Sequence, residues 1–217
     1  MRDTLVRETG PEPQAAVIWL HGLGASADDF VPVIPHLNLA GCGDIRFLFP
    51  QAPSRPVTIN QGMVMPAWYD ILSLGLEREV DSEHLLASAQ TIGQMIEQQV
   101  AQGIDSRRIV LIGFSQGGAV AYQTALSHPQ PLAGLLALST YLATADSLTL
   151  SDANRQLPVE IHHGSQDPMV PPQLAHKAAE RLTQMGLAPR TRSYAMAHEL
   201  CMAQLDDISS FLRQVLG

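Results

Sequence analysis

The chain has 217 residues, of which 46% are hydrophobic and 16% charged, a composition typical of a folded globular protein rather than a disordered one. Its formal net charge of −8, with Lys177 as the only lysine, argues against nucleic acid as a partner and against attachment to an anionic membrane. The first ten residues lack the apolar core of a signal peptide, and no apolar run approaches transmembrane length. We therefore expect a cytoplasmic protein without stable membrane insertion, folded as one domain over residues 1–217.

A glycine-rich loop at residues 21–30 follows the first predicted buried strand, residues 15–20. It supports two interpretations. The spacing of Gly22, Gly24 and Ala27 formally matches a dinucleotide fingerprint, which also needs an acidic residue at the end of the next strand. That strand, residues 45–49, ends without one. Alternatively, the backbone N–H of Leu23 is an oxyanion donor of a hydrolase-type sheet.

Residues 50–79 are rich in proline, glycine and apolar side chains and show neither helical nor strand periodicity. A long irregular stretch within a compact domain is usually functional, and this one is too apolar for disorder. Its apolar side chains are candidates for a substrate groove or for a cap on the core. The candidates for groove residues are Met63, Met65, Trp68, Leu72 and Leu74.

A strand, a sharp turn and a helix are predicted over residues 108–126, after a long amphipathic helix at 80–102. The turn contains Gly113, Ser115 and Gly117 in the G-x-S-x-G spacing of a nucleophile elbow. An ordinary loop could carry the same residues, but the flanking strand and helix favour the elbow. The Oγ of Ser115 would then stand at the tip of the turn, beside the N–H of Gln116.

Two further polar residues follow predicted strands in the second half of the chain. Asp167 lies in the loop after the strand at 158–164, and His198 follows the strand at 190–194, before a final amphipathic helix. The order Ser115, Asp167, His198 is the hydrolase order of nucleophile, acid and base. Strands alternating with helices also predict an α/β fold, with a mostly parallel central sheet and helices on both faces.

His162 and His163 are rival candidates for the base or for metal ligands. Adjacent residues on a strand point to opposite faces, so the pair is poorly suited to bind one metal ion. We expect both to be buried histidines of the core.

In these residues and the motifs around them, the chain resembles the phospholipase/carboxylesterase family of small α/β-hydrolases over nearly its whole length. The matching motifs occur in the order residues 21–24, 49–53, 68–70, 113–118, 163–171 and 194–199. The resemblance implies a triad of Ser115, Asp167 and His198, an oxyanion hole formed by the N–H groups of Leu23 and Gln116, and a substrate groove built partly from residues before Glu79. Ala197 and Ala25 depart from the commoner residues of the family, and we expect at most a change in loop shape.

The sequence thus predicts a serine hydrolase that cleaves carboxylic esters of short to medium acyl chains through an acyl-serine intermediate. No metal or organic cofactor is expected, because the oxyanion hole supplies the electrostatic stabilisation. A thioesterase acting on acylated proteins or a lysophospholipase would use the same triad. A non-catalytic binding module on a hydrolase scaffold is the alternative of another class. The apolar rim near residues 63–74 could pair two copies in a homodimer or contact an acyl chain.

Overall fold

A seven-stranded sheet forms the centre of the protein, whose computed structural model describes residues 4–217; the first three residues of the predicted domain lie outside the described part. In chain order the strands are β1 (Thr4–Glu8), β2 (Ala15–Leu20), β3 (Ile45–Pro50), β4 (Ser54–Val57), β5 (Met63–Pro66), β6 (Ile109–Phe114), β7 (Gly134–Leu138), β8 (Val159–Gly164) and β9 (Arg190–Tyr194). The order across the sheet is β1-β3-β2-β6-β7-β8-β9. Among the seven strands that the structure describes in this sheet, β1 alone runs antiparallel to its neighbour, so the predicted mostly parallel sheet is confirmed.

In the part of the chain that the structure describes, four α-helices cover the sheet: α1 (Ser82–Ala101), α2 (Gln116–Ser127), α3 (Pro172–Gln184) and α4 (Met202–Leu216). The carboxylate of Asp81 accepts a hydrogen bond from the N–H of His84 at 2.9 Å and so caps the first turn of α1. α3 lies at residues 172–184, where no element was predicted from the sequence. Among the helices of residues 4–217, none is both long and apolar enough to cross a bilayer.

Two apolar cores lie on opposite faces of the sheet. Successive side chains of a strand point to opposite faces, so Ile18 of β2 belongs to the first core and Trp19 to the second. The first core contains apolar side chains of α1, α2 and α3, and the second contains those of α4. Helices therefore pack on both faces, as predicted.

The irregular stretch between β3 and α1 contains more regular structure than its sequence pattern indicates. β4 and β5 pair as a short antiparallel hairpin that stands apart from the main sheet. Beyond it, Ile71 forms an isolated bridge with Val80, and the N–H of Leu72 donates to Glu79 O at 2.9 Å. The hairpin has only four residues in each strand, too few for a recognisable alternation.

A matched pair of glycine substitutions tests the packing of α4 against the sheet. A Cβ at Gly134 would lie 2.7 Å from Cζ of Phe211, a buried side chain of α4. We expect Gly134→Ala to lower the free energy of unfolding by about 1–3 kcal/mol through overpacking. A Cβ at Gly93, within α1, would meet nothing within 4 Å, so Gly93→Ala should raise stability by up to about 1 kcal/mol. Urea unfolding gives the free energy of unfolding of both variants. Equal changes from the wild type in the two variants would contradict the packing of Phe211 against Gly134.

Candidate active site

Ser115 sits at a sharp turn between β6 and α2. Its backbone has φ 54° and ψ −121°, a strained conformation for a residue with a side chain. A Cβ at Gly113 would lie 2.5 Å from Gly117 O, and one at Gly117 would lie 2.5 Å from His21 O. The close approach of the strand, the helix and the loop after β2 therefore requires glycine at both positions, as the elbow motif predicts.

Three side chains from separate loops form one hydrogen-bonded chain at the carboxyl edge of the sheet. The Oγ of Ser115 lies 2.9 Å from Nε2 of His198, and Nδ1 of His198 lies 2.7 Å from Oδ2 of Asp167. The structure thus brings together the three residues that the sequence proposed as a triad. With Nδ1 donating to the carboxylate, Nε2 is free to accept the serine proton.

The carboxylate of Asp167 is held on both sides. Its Oδ1 accepts hydrogen bonds from the N–H groups of Met169 and Val170, each at 2.9 Å, while Oδ2 faces His198. Burial by itself would raise the pKa of Asp167, but the hydrogen bonds from His198 and from these two N–H groups outweigh it and lower the pKa below its ordinary value. The residue is therefore ionised at neutral pH and can orient the imidazole.

Backbone hydrogen bonds tie the loop of Asp167 to the loop of His198. The N–H of Ser165 donates to Tyr194 O at 2.8 Å, and the N–H of Gln166 donates to Met196 O at 3.1 Å. The carbonyl of Met196 also lies so close to Gly164 that a side chain there would collide with it. These contacts fix the two loops relative to each other, so backbone interactions align Asp167 with His198.

A buried carboxylate anchors the exposed edge strand β9, at whose end the loop of His198 begins. Oε1 of Glu160 accepts from Arg190 at 2.9 Å, and Oε2 accepts from Arg192 at 3.0 Å. Burial acts to raise the pKa of Glu160, but hydrogen bonds from His162 and Arg192 hold it below its ordinary value. An edge strand with few buried side chains is thereby fixed to β8.

The two adjacent histidines of β8 are buried and point to opposite faces, as expected. His162 is fully buried, with Nε2 3.0 Å from Glu160 and Nδ1 3.2 Å from the hydroxyl of Tyr194. Nε2 of His163 lies 2.8 Å from Val170 O and 3.5 Å from Oδ2 of Asp167, so this histidine borders the triad from behind its acid. Within residues 4–217 no group of three or more histidine, cysteine or acidic side chains has the arrangement of a metal site.

The backbone N–H groups of Leu23 and Gln116 are the proposed oxyanion donors, and both residues line the same cleft as Ser115 and His198. Within the described chain neither N–H donates to a protein acceptor. Gln116 is the first residue of α2, where N–H groups have no partner inside the helix and the helix dipole favours negative charge. The arrangement can bind an anionic oxygen beside Oγ of Ser115.

His21 supports the loop that contains Leu23. Its Nε2 accepts a hydrogen bond from the N–H of Ala52 at 3.1 Å, so the imidazole carries its proton on Nδ1, which donates to Gly22 O at 2.7 Å. Burial lowers the pKa of His21, which keeps the ring neutral. From the sequence we expect His21 to shape this loop; the contacts that set its ring position are with residues about 30 positions away, which no local pattern shows.

The side chain of Gln116 joins the elbow to the stretch after the β4–β5 hairpin. Its Oε1 accepts from the N–H of Trp68 and its Nε2 donates to Tyr69 O, each at 2.7 Å. The indole N–H of Trp68 donates to His21 O at 2.9 Å. The loop after β2, the elbow and the stretch after the hairpin are therefore one hydrogen-bonded unit.

The cleft over Ser115 has a volume of about 700 Å³ and a largely apolar wall. Of the five predicted groove residues, Met65 and Leu74 line it. Trp68 lies instead in the first core, only 1% exposed, because its ring packs beside His21 and its N–H is bound there. Met63 and Leu72 are exposed, at 64% and 46%, and do not line the cleft.

Other apolar residues of the wall come partly from the predicted groove stretch at residues 50–79, as Ile59 and Ile71 do, and partly from three other segments. They are Phe30, Val33, Ile59, Ile71, Tyr141 and Met169. They reach the cleft from four separate loops, so no local pattern in the sequence groups them.

The loop after β2 does not have the geometry of a dinucleotide site. In such a site the glycine-rich turn leads into an α-helix whose N-terminus binds the pyrophosphate. Here the loop leads into a short 3-10 helix, Val31–His36, and then to β3. The structure therefore favours the hydrolase interpretation of residues 21–30.

The lowered pKa of Asp167 predicts how stability depends on pH. The folded state binds the Asp167 proton less readily than the unfolded state does, so the wild type should lose stability as the pH falls below about 4. Asp167→Asn lacks this titration, so its free energy of unfolding should fall less steeply between roughly pH 5 and pH 3. Urea titrations across this range measure both slopes; parallel slopes would contradict the lowered pKa.

Comparison with known proteins identifies the family. The family model described as phospholipase/carboxylesterase matches residues 1–216. An acyl-protein thioesterase 1 of Gibberella zeae is 36% identical, covering 98% of this chain and 95% of its own. Among solved structures, acyl-protein thioesterase 2 of Zea mays has a TM-score of 0.86 at 25% identity, covering 99% of each chain. SOBER1 of Arabidopsis thaliana has a TM-score of 0.87 at 26% identity, covering 94% of this chain and 99% of its own. The chain therefore belongs to the phospholipase/carboxylesterase family of hydrolases and has the α/β-hydrolase fold.

Proposed function

We propose that this hydrolase cleaves carboxylic esters through an acyl-enzyme intermediate on Ser115. The observation that carries the proposal is the hydrogen-bonded chain from Ser115 through His198 to Asp167, with distances of 2.9 Å and 2.7 Å. A serine hydroxyl is a weak nucleophile until an adjacent base takes its proton, and this geometry supplies the base.

In the first half of the reaction, Oγ of Ser115 attacks the ester carbonyl while Nε2 of His198 takes the hydroxyl proton. The carbonyl oxygen becomes an oxyanion, which accepts hydrogen bonds from the N–H groups of Leu23 and Gln116. Asp167 stabilises the imidazolium. His198 then gives the proton to the departing alcohol, leaving the acyl group on Ser115.

In the second half, water enters the cleft and gives a proton to Nε2 of His198 as it attacks the acyl carbonyl. The same N–H groups stabilise the second oxyanion, and collapse releases the carboxylic acid while Ser115 regains its proton from His198. Apart from substrate and water, each step uses only groups of the chain, and the proposal includes no metal or organic cofactor.

The proposed substrates are small-molecule esters of short to medium acyl chains, met in the cytoplasm. The apolar wall that includes Met65 and Leu74 suits an acyl chain. A thioester of an acylated protein is the second candidate, favoured by the names of the relatives, and a lysophospholipid is the third. The exposed side chains of Met63, Val64 and Leu72 near the cleft would be covered by pairing in a homodimer.

Loss of the nucleophile or the base tests the proposal. Ser115→Ala and His198→Ala should each lower kcat for p-nitrophenyl hexanoate by about 10⁴ to 10⁶, and the double variant should lose little more, because the residues act as one unit. Ser210→Ala and His176→Ala, at exposed positions of α4 and α3, are the matched controls. A mild loss from either test variant would overturn the triad. No activity in the wild type would favour the binding module.

Acyl length and linkage can be measured with one series of substrates. We expect kcat/KM for p-nitrophenyl esters to peak between acetate and octanoate and to fall for palmitate. S-hexanoyl thioesters measured beside hexanoyl esters then rank the two linkages at equal chain length. A maximum at palmitate would instead favour the long-chain substrates of a protein thioesterase or a lysophospholipase.

A further inference from the structure

Arg78 lies in the wall of the cleft that contains Ser115. Apart from His198, it is the one basic side chain among the residues of the described chain that line this cleft. It comes from the stretch between the β4–β5 hairpin and α1, and nothing in the proposed reaction uses it. A guanidinium in a largely apolar wall loses part of its hydration, and this costs free energy unless a partner compensates the charge.

The contacts of Arg78 orient its guanidinium without neutralising it. Nη2 donates to Met169 O at 2.9 Å, and Cζ lies 4.5 Å from the centre of the Tyr141 ring. A carbonyl and an aromatic face both attract a cation, but neither carries a compensating charge.

No carboxylate of the described chain lies within 4.0 Å of the Arg78 nitrogens. The neighbouring acid Glu77 pairs instead with Lys177, at 3.4 Å. In addition, Nε of Arg78 is shielded from solvent and has no hydrogen-bond acceptor. Because Nε is inaccessible, the donors left for a ligand are those of Nη1, which makes no hydrogen bond within the described chain. The Nη edge of the planar guanidinium can therefore bind a carboxylate or phosphate.

The other end of the cleft has the opposite charge. Asp29 and Glu199 line it there, near Phe30 and Phe114 of the second core, and the ring of Phe114 lies 4.8 Å from that of His198. The end near Arg78 is instead continuous with the first core. Because β6 separates the cores, Ser115 lies between an acidic end and a basic end. An anionic substrate would therefore be attracted in one orientation and repelled in the other.

We propose that Arg78 determines specificity by binding an anionic group, a carboxylate or a phosphate, on the ester that Ser115 cleaves. This inference rests on the proposed function and narrows its substrate class to esters with a negative charge on the acyl chain or on the leaving group. A purely structural role is the alternative: by holding Met169 O, Arg78 would only steady the loop that contains Asp167.

Two pairs of esters distinguish anion binding by Arg78 from a purely structural role. They also identify the part of the substrate that carries the charge. For the acyl chain, the pair is p-nitrophenyl hexanoate and mono-p-nitrophenyl adipate, which have equal chain length and differ in a terminal carboxylate. For the leaving group, the pair is phenyl hexanoate and para-carboxyphenyl hexanoate. Each substrate is measured with the wild type, Arg78→Gln and Arg78→Lys, and variants are compared on the same substrate so that intrinsic reactivity cancels.

In one of the two pairs, Arg78→Gln should lower kcat/KM for the anionic ester by about tenfold more than for its neutral partner, mainly through KM. Arg78→Lys should recover part of the loss, and added salt should weaken the preference of the wild type for the anion. Losses of equal size on all four esters would show a structural role and overturn the inference.

Failure of the proposed function gives a different result in the same experiment. If the wild type cleaves none of the four esters, or if Ser115→Ala cleaves them as well as the wild type does, the esterase proposal itself fails. If cleavage depends on Ser115 but Arg78→Gln does not change the ratio within either pair, only the inference about Arg78 fails.

Discussion

The strained backbone of Ser115 is the constraint on which the rest of the site depends. A conformation of this kind costs about 1–3 kcal/mol and persists only where its surroundings enforce it. Here the N–H of Ser115 donates to Leu138 O at 2.9 Å, while its carbonyl accepts from the N–H of Gly118 at 3.0 Å and from the hydroxyl of Thr140. β7 and the residues after it therefore hold the turn from one side, and the glycines of the elbow admit close packing from the other. The direction of Oγ and the exposure of the Gln116 N–H both follow.

The buried amide of Gln116 extends this constraint to the chain segments around the elbow. A buried amide without partners would cost stability, so its two hydrogen bonds to the backbone of Trp68 and Tyr69 fix where the stretch after the hairpin lies. That stretch in turn holds His21 through the indole of Trp68. The proposed oxyanion donors are thus positioned before any substrate arrives, which is the condition under which such donors stabilise a developing charge most strongly.

Local sequence patterns predicted strands of the main sheet and the elbow. They also predicted that Asp167 and His198 lie just after the carboxyl ends of their strands. Those features depend on apolar runs, on glycine spacing and on the parallel order of strands, all of which are visible in one chain. The walls of the cleft were predicted less well. Trp68 was expected at the groove, yet its ring is buried with His21, because side-chain direction in an irregular stretch is decided by distant partners. The hairpin escaped detection because its strands have only four residues each. The α3 helix was not assigned, although Leu174, Ala178 and Leu182 are buried at helical spacing that is visible in the sequence.

The two cores on opposite faces of the sheet have a consequence for how this site can change. One end of the cleft continues the first core and the other continues the second, with β6 and its elbow between them. Substitutions that share no contacts usually have additive effects on stability. Residues at the Tyr141 end and at the Phe30 end can therefore vary without each substitution requiring a compensating one at the other end. The substrate preferences set by the two ends of the cleft can therefore evolve separately, while the reacting groups between them stay fixed.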